Sequence, residues 1–142
     1  MKREILFRAK RSDDGEWVEG LLFYSHGLGV YKITKSNGWI PSYSNPDEGE
    51  STEYIDIIPD TICQFTGLTD NNGTKVFEGD VLKIHHNKEY MRPLTCEWDK
   101  DNSCFCYVDK EDFEQKYYLN ISDLSMDEVI GNIYDNINLI NK

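Results

Sequence analysis

The side chains in this sequence best able to do chemistry are four cysteines (Cys63, Cys96, Cys104 and Cys106), three histidines (His26, His85 and His86) and a surplus of carboxylates. Zinc is the first chemistry to consider. Cys104 and Cys106 alternate onto one face of an extended segment, and Cys96 and the His85-His86 pair lie in segments that fold nearby. Zinc sites, however, take four N or S ligands, usually in paired hooks such as C-x₂-C, and a lone C-x-C lacks the tight knuckle. Free cysteines are also among the residues most often buried. The sequence therefore predicts core thiols and no metal.

Calcium would have to use Thr69-Asp70-Asn71-Asn72-Gly73, but a calcium loop needs glycine at its sixth position and a closing acid. Gly73 comes at the fourth step from Asp70, so a hairpin turn is expected instead. A nucleophile would pair Cys63 or Cys96 with a histidine, but no recognised nucleophile setting surrounds either. Gly27-Leu28-Gly29 runs into Val30-Tyr31, an extended pattern and no helix N-terminus, so it cradles no phosphate. Catalytic residues, cofactors and metals are all expected to be none.

The elements that would position these residues read almost entirely as strands. Ile5, Phe7 and Ala9 alternate with Glu4 and Arg8, a period of two. Ser12-Asp13-Asp14-Gly15 supplies turn chemistry, and Trp17–Tyr24 returns to form a hairpin. Strands follow at Gly29–Thr34, Trp39–Tyr43 and Glu53–Ile58. The polar stretch 44–52 between the last two reads as a loop. From Gln64 to Ile84 the pattern is strand, hairpin, strand, glycine turn, strand, with Asn72-Gly73 suited to a type I′ turn. Arg92–Trp98 and Cys104–Asp109 flank another turn. Tyr117–Leu119 and Val129–Tyr134 are extended, with short helical turns within 122–128 and 136–140. Gly67, Gly73, Gly79 and Gly131 fall at bends or strand edges, and Glu78 and Asp80 can bracket the Gly79 turn by bonding backbone amides. These glycines and Asp80 are predicted to be architectural.

The net charge is −11. Residues 46–70 carry seven acidic side chains and no basic one, and residues 101–142 carry nine against three. Duplex binding by counterion release needs clustered Lys and Arg, which this balance disfavours. A local basic patch remains possible near Lys2, Arg3, Arg8, Lys10 and Arg11. Arg8 interrupts any apolar leader, and no run reaches the length of a membrane span. Reduced thiols and a cytoplasmic setting follow as expectations. Tyr24, Tyr31, Trp39, Tyr43, Tyr54 and Tyr90 fall in strands or at their ends, where aromatics either pack a half-buried sheet or anchor a partner.

Three motifs carry a resemblance. The opening has Arg3-Glu4-Ile5, Phe7-Arg8-Ala9, Trp17-Val18 and Gly20. The centre has Gln64-Phe65-Thr66-Gly67-Leu68, Asp70, Asn72-Gly73 and Phe77-Glu78-Gly79-Asp80-Val81. The end has Val129-Ile130-Gly131-Asn132-Ile133-Tyr134 and Asn136. In this order they resemble the YopX-like family, found chiefly in phages and prophages of bacteria. Lys10-Arg11 stands where an aromatic and an acid are commoner, and Cys63 where glycine is usual. The resemblance implies a mainly β fold with a small SH3-like barrel, and it implies no catalytic residues.

Residues 1–142 are thus expected to form a single YopX-like domain, a small barrel of hairpins with one or two short helical turns. The function expected is that of a phage or prophage accessory protein that binds another protein or itself without catalysis. A nucleic-acid-binding barrel is the alternative. A third reading is an acidic mimic of DNA that inhibits a host protein. Asp47, Glu48, Glu50, Trp39 and Tyr43 are the candidate interaction surface, and homo-oligomers remain open.

Overall fold

A computed structural model describes residues 4–35, 54–85, 92–110, 116–118 and 124–140. It is mainly β, with antiparallel pairing throughout and only short helical turns among the described residues. The chain divides into two compact units, residues 1–64 and 65–142.

In the first unit, β1 (Phe7–Lys10), β2 (Trp17–Ser25), β3 (Val30–Thr34) and β4 (Tyr54–Asp56) form a meander. Asp13 and Asp14 build the first turn. The Asp13 carboxylate accepts the Asp14 amide, and the Asp14 carboxylate accepts the Glu16 amide. The meander then closes on itself. Arg11 pairs with Ile57, the Ser12 amide donates to the Asp56 carbonyl, and the Ile58 amide donates to the Lys10 carbonyl. A 3₁₀ turn at Pro59–Thr61 follows, where the Thr61 hydroxyl accepts the Lys10 amide. The chain then enters β5 (Cys63–Thr69), whose first residues pair with β1 at Arg8↔Cys63 and Phe7↔Gln64.

Alternation explains this closure. Ala9, Val18, Ile33, Ile55 and Ile57 all face inward as one buried cluster, with Leu22 and Ile62 against it. Each fully buried aliphatic side chain contributes about 1.5–3 kcal/mol. β2 is shared between two partners. Trp17–Gly20 pairs with β1, and Leu21–Ser25 pairs with β3. Gly20 is the pivot, because a β-carbon there would overlap the Thr34 carbonyl oxygen. Ile5, expected on the buried face with Phe7 and Ala9, is instead exposed, because β1 begins only at Phe7.

In the second unit, β5 continues into a hairpin with β6 (Lys75–Phe77). A five-stranded sheet has the order β10-β9-β8-β7-β11. Its strands are β7 (Asp80–Lys83), β8 (Leu94–Asp99), β9 (Cys104–Val108), β10 (Lys116–Tyr118) and β11 (Glu128–Asn132). Leu82, Leu94, Cys96, Phe105 and Tyr107 join Val76, Ile84 and Leu124 in its buried cluster. A second 3₁₀ turn spans Ile137–Leu139. No helix among the described residues is long and apolar enough to cross a membrane.

The expected strand at Trp39–Tyr43 and the loop at 44–52 lie outside the described residues. The central turn differs in type from the expected one. A type I′ turn needs positive φ at both Asn72 and Gly73, yet only Gly73 has it, at 77°. The Asp70 carboxylate decides this by accepting the amides of Asn72 and Thr74, which holds Asn72 in an ordinary conformation.

Candidate interaction surface

The thiols are placed for packing. Cys63, Cys96 and Cys106 are buried and Cys104 is half-buried, and none of the four is in a disulfide. Cys96 stands opposite Tyr107, whereas Cys106 stands opposite Glu97 and Cys104 opposite Asp99. Successive residues of a strand point to opposite faces, so Cys96 faces away from the other two. Burial, reinforced by the charges of Asp80 and Glu78, pushes the Cys96 thiol well up. Burial and then Asp99 push up Cys106. The Cys63 thiol donates to the Thr61 carbonyl. Thiols held this way are poor nucleophiles and poor metal ligands. Among the described residues, no group of three or more His, Cys, Asp or Glu side chains is gathered to hold a metal ion. His26 meets the ring of Tyr24 edge-on at 5.0 Å, the His85 ring lies 3.9 Å from Glu128, and His86 is outside the described residues.

Sequence reasoning missed most of a set of four buried aspartates: Asp70, Asp80, Asp99 and Asp127. A buried carboxylate needs hydrogen bonds to offset its desolvation, and each of these finds them on the backbone. Asp70 accepts the amides of Asn72 and Thr74 with one oxygen and that of Val129 with the other. Asp80 accepts the Phe77 amide across the Gly79 turn. Asp127 accepts the His85 amide and the Tyr107 hydroxyl. Asp99 accepts the Asp101 amide, the Asn102 side-chain amide and the Lys116 ammonium. The Asn102 bond, then Lys116, hold the Asp99 carboxyl below the usual range. These aspartates fasten loops.

The remaining sequence-derived positions also have structural placements. Gly67, Gly73 and Gly79 adopt positive φ, with Gly67 inside the register shift of β5 against β6. Gly131 has no positive φ; a β-carbon there would come within 2.6 Å of Asn136 Oδ1, an oxygen that also accepts the Asn132 amide. Asp47, Glu48, Glu50, Trp39 and Tyr43 lie outside the described residues. In the basic N-terminal hairpin, the Arg8 guanidinium sits 4.7 Å and the Lys10 ammonium 5.5 Å from the Trp17 ring centre. Arg11 is bound by Asp13 at 2.8 Å, and Asp14 lies 3.6 Å away. That pairing holds the Asp13 carboxyl far below its ordinary range.

What projects outward is an aromatic arm. β2 and β3 run on beyond β1, which pairs no further along β2 than Gly20. On this ribbon Tyr24 faces Tyr31 directly, with ring centres 4.9 Å apart. On the opposite face Phe23 lies 5.3 Å from Tyr54. Phe23, Tyr24, Tyr31 and Tyr54 are 42%, 40%, 43% and 40% exposed, and Val30 and Leu28 extend the apolar surface. The Lys32–Asp56 ion pair, at 2.9 Å, borders the Phe23 face. The sequence signal was the run Leu21-Leu22-Phe23-Tyr24, where alternation fails because apolar residues occupy both faces. Tyr24, Tyr31 and Tyr54 were on the list of candidate aromatics. Phe23, Val30 and Leu28 were not.

The fold and this surface define a small antiparallel β protein whose buried acids are structural and whose exposed feature is a ribbon of aromatic rings. The family model described as YopX protein matches residues 6–141, and the chain belongs to that family. Comparison with curated proteins found no match. Among solved structures, the chain is similar to protein EF1440 from Enterococcus faecalis, with 22% sequence identity and a TM-score of 0.59. That likeness covers 99% of this chain and 100% of the other, and concerns the fold.

Proposed function

We propose that this chain is a non-catalytic binding module of a phage or prophage, acting in the bacterial cytoplasm, and that the β2–β3 arm holds its protein partner. The observation that carries this reading is the exposure of Phe23, Tyr24, Tyr31 and Tyr54 on both faces of one ribbon. Single exposed apolar residues are ordinary, but adjoining exposed rings on each face, extended by Val30 and Leu28, support an interaction site. Tyrosine and phenylalanine are suited to this work, since they bring large rigid area at small entropic cost. The closed meander and its 3₁₀ turn support an SH3-like description of the first unit.

The other readings draw less support. Arg8 and Lys10 lie over Trp17 and Arg11 is held by carboxylates, which weakens the case for a phosphate-binding hairpin. Mimicry of DNA needs a continuous outward row of carboxylates; Asp56, Asp60, Asp101 and Asp135 are exposed, but Asp70 and Asp127 of the same acidic segments are buried and tied to amides.

The test is capture from bacterial lysate with two baits, the full chain and its Phe23→Ser/Tyr31→Ser variant. Neither position belongs to the buried cluster, so circular dichroism and the melting temperature should show the variant folded. A protein held by the first bait and released by the second is expected. Identical capture by both would overturn the reading.

A further inference from the structure

Resting on the reading of the arm as a protein-binding surface, we infer that its rings are seats for cationic side chains and that the occupant is an arginine-bearing segment of a basic protein. Three observations lead there.

The first is the precedent within the molecule. Trp17 carries Arg8 and Lys10 over its ring, and Phe65 carries Lys75 at 5.8 Å. No cation of the described residues stands over Phe23, Tyr24, Tyr31 or Tyr54, although the negative face of an aromatic ring attracts one.

The second is charge. Residues 1–64 hold seven basic against eleven acidic side chains. Of the five cations among the described residues of this unit, Arg8 and Lys10 sit over Trp17, Arg11 is bound by Asp13, and Lys32 by Asp56, with Lys35 exposed just after β3. An anionic unit with uncapped rings is complementary to a partner that brings positive charge and apolar stems together. Arginine does both.

The third concerns the competing occupants. A second copy carries the same net charge of −11, so self-docking is opposed by repulsion. Single-stranded nucleic acid would also stack on tyrosines, but it needs a basic groove to hold its backbone.

The test uses the full chain, isotope-labelled for NMR, with a synthetic peptide alternating arginine and leucine as the probe. A second peptide replaces every arginine by citrulline, which keeps the shape and removes the charge. The arginine peptide should shift the amides of Phe23–Tyr31 and Tyr54–Asp56, and the citrulline peptide should bind about tenfold more weakly, as expected for two exposed cation–ring contacts. The Tyr24→Phe/Tyr31→Phe variant should keep this preference, and the Leu variant Phe23→Leu/Tyr24→Leu/Tyr31→Leu/Tyr54→Leu, which retains apolar area without ring faces, should lose it.

Equal binding of the two peptides, shifts confined to other surfaces, or no binding would overturn the inference. So would tighter binding of an oligothymidylate than of the arginine peptide, or concentration-dependent dimerisation through the arm. The two readings fail separately. A lysate partner released by the Ser variant but held by the Leu variant would leave the arm as the interface and remove the cation seats.

Discussion

Gly20 passes so close to Thr34 that a β-carbon on the glycine would overlap the Thr34 carbonyl oxygen and come within 2.8 Å of Ile33 Cγ2. The obstacle is backbone, which cannot swing aside as a side chain can. At this point β2 leaves β1 and takes up β3, so the same contact launches the aromatic arm. Gly20→Ala should cost about 1–3 kcal/mol, the range for overpacking a filled site. Gly27→Ala, with nothing within 4 Å of the added carbon, should be near neutral. Urea denaturation of the two variants checks this.

Gly73 has φ of 77° at the tip of the β5–β6 hairpin, with open space around it. Strain from the backbone is therefore the whole effect of a substitution. Gly73→Val should destabilise by about 1 kcal/mol or more, because a β-branched residue is an outlier in that region. Gly73→Asn should cost less, since asparagine tolerates it. Comparison of the two denaturation midpoints separates strain from lost space.

Asp99 gives the protein an acid-sensitive fastening. Its bonds to Asn102 and Lys116 lower its folded-state pKa, so it contributes stability that is present above the unfolded value of about 3.9 and is lost as pH falls through the lowered folded value. Lys116, raised by the same partner, stays charged throughout this range. Asp99→Asn should thus be less stable than the parent chain at pH 7, and the gap should close in the acid range. Thermal melts of both proteins from pH 7 downward measure it. A constant gap across that range would remove the electrostatic explanation.

The thiols offer a chemical check on the packed interior. Cys63, Cys96 and Cys106 are buried and Cys104 is half-buried. A thiol-specific reagent at neutral pH should modify Cys104 first and the others only after denaturation. Purified protein should contain no stoichiometric zinc, and a chelator should leave the melting temperature unchanged. One metal per chain by elemental analysis would contradict the packing description.

Local chemistry made much of this fold legible. Alternation located the strands, the Ser12–Gly15 turn predicted the first hairpin, and Glu78-Gly79-Asp80 announced a turn. The Asp70 turn was visible as a hairpin, but its type was set by a side-chain bond that the Asn-Gly pair does not reveal. Asp127 was illegible because its partners, His85 and Tyr107, lie 42 and 20 residues away. Ile5 matched the buried pattern and is exposed because it lies before the start of β1. The arm was half legible. Its tyrosines stood out by type, but their exposure follows from β1 ending where it does, which is a property of register.

Amide hydrogen exchange of the full chain, alone and with its captured partner, tests the central claim most directly. Protection should rise across Phe23–Tyr31 and Tyr54–Asp56 on binding, and the five-stranded sheet should change little. Protection gained elsewhere, with the arm exchanging as in the free protein, would contradict the assignment of the arm as the binding surface.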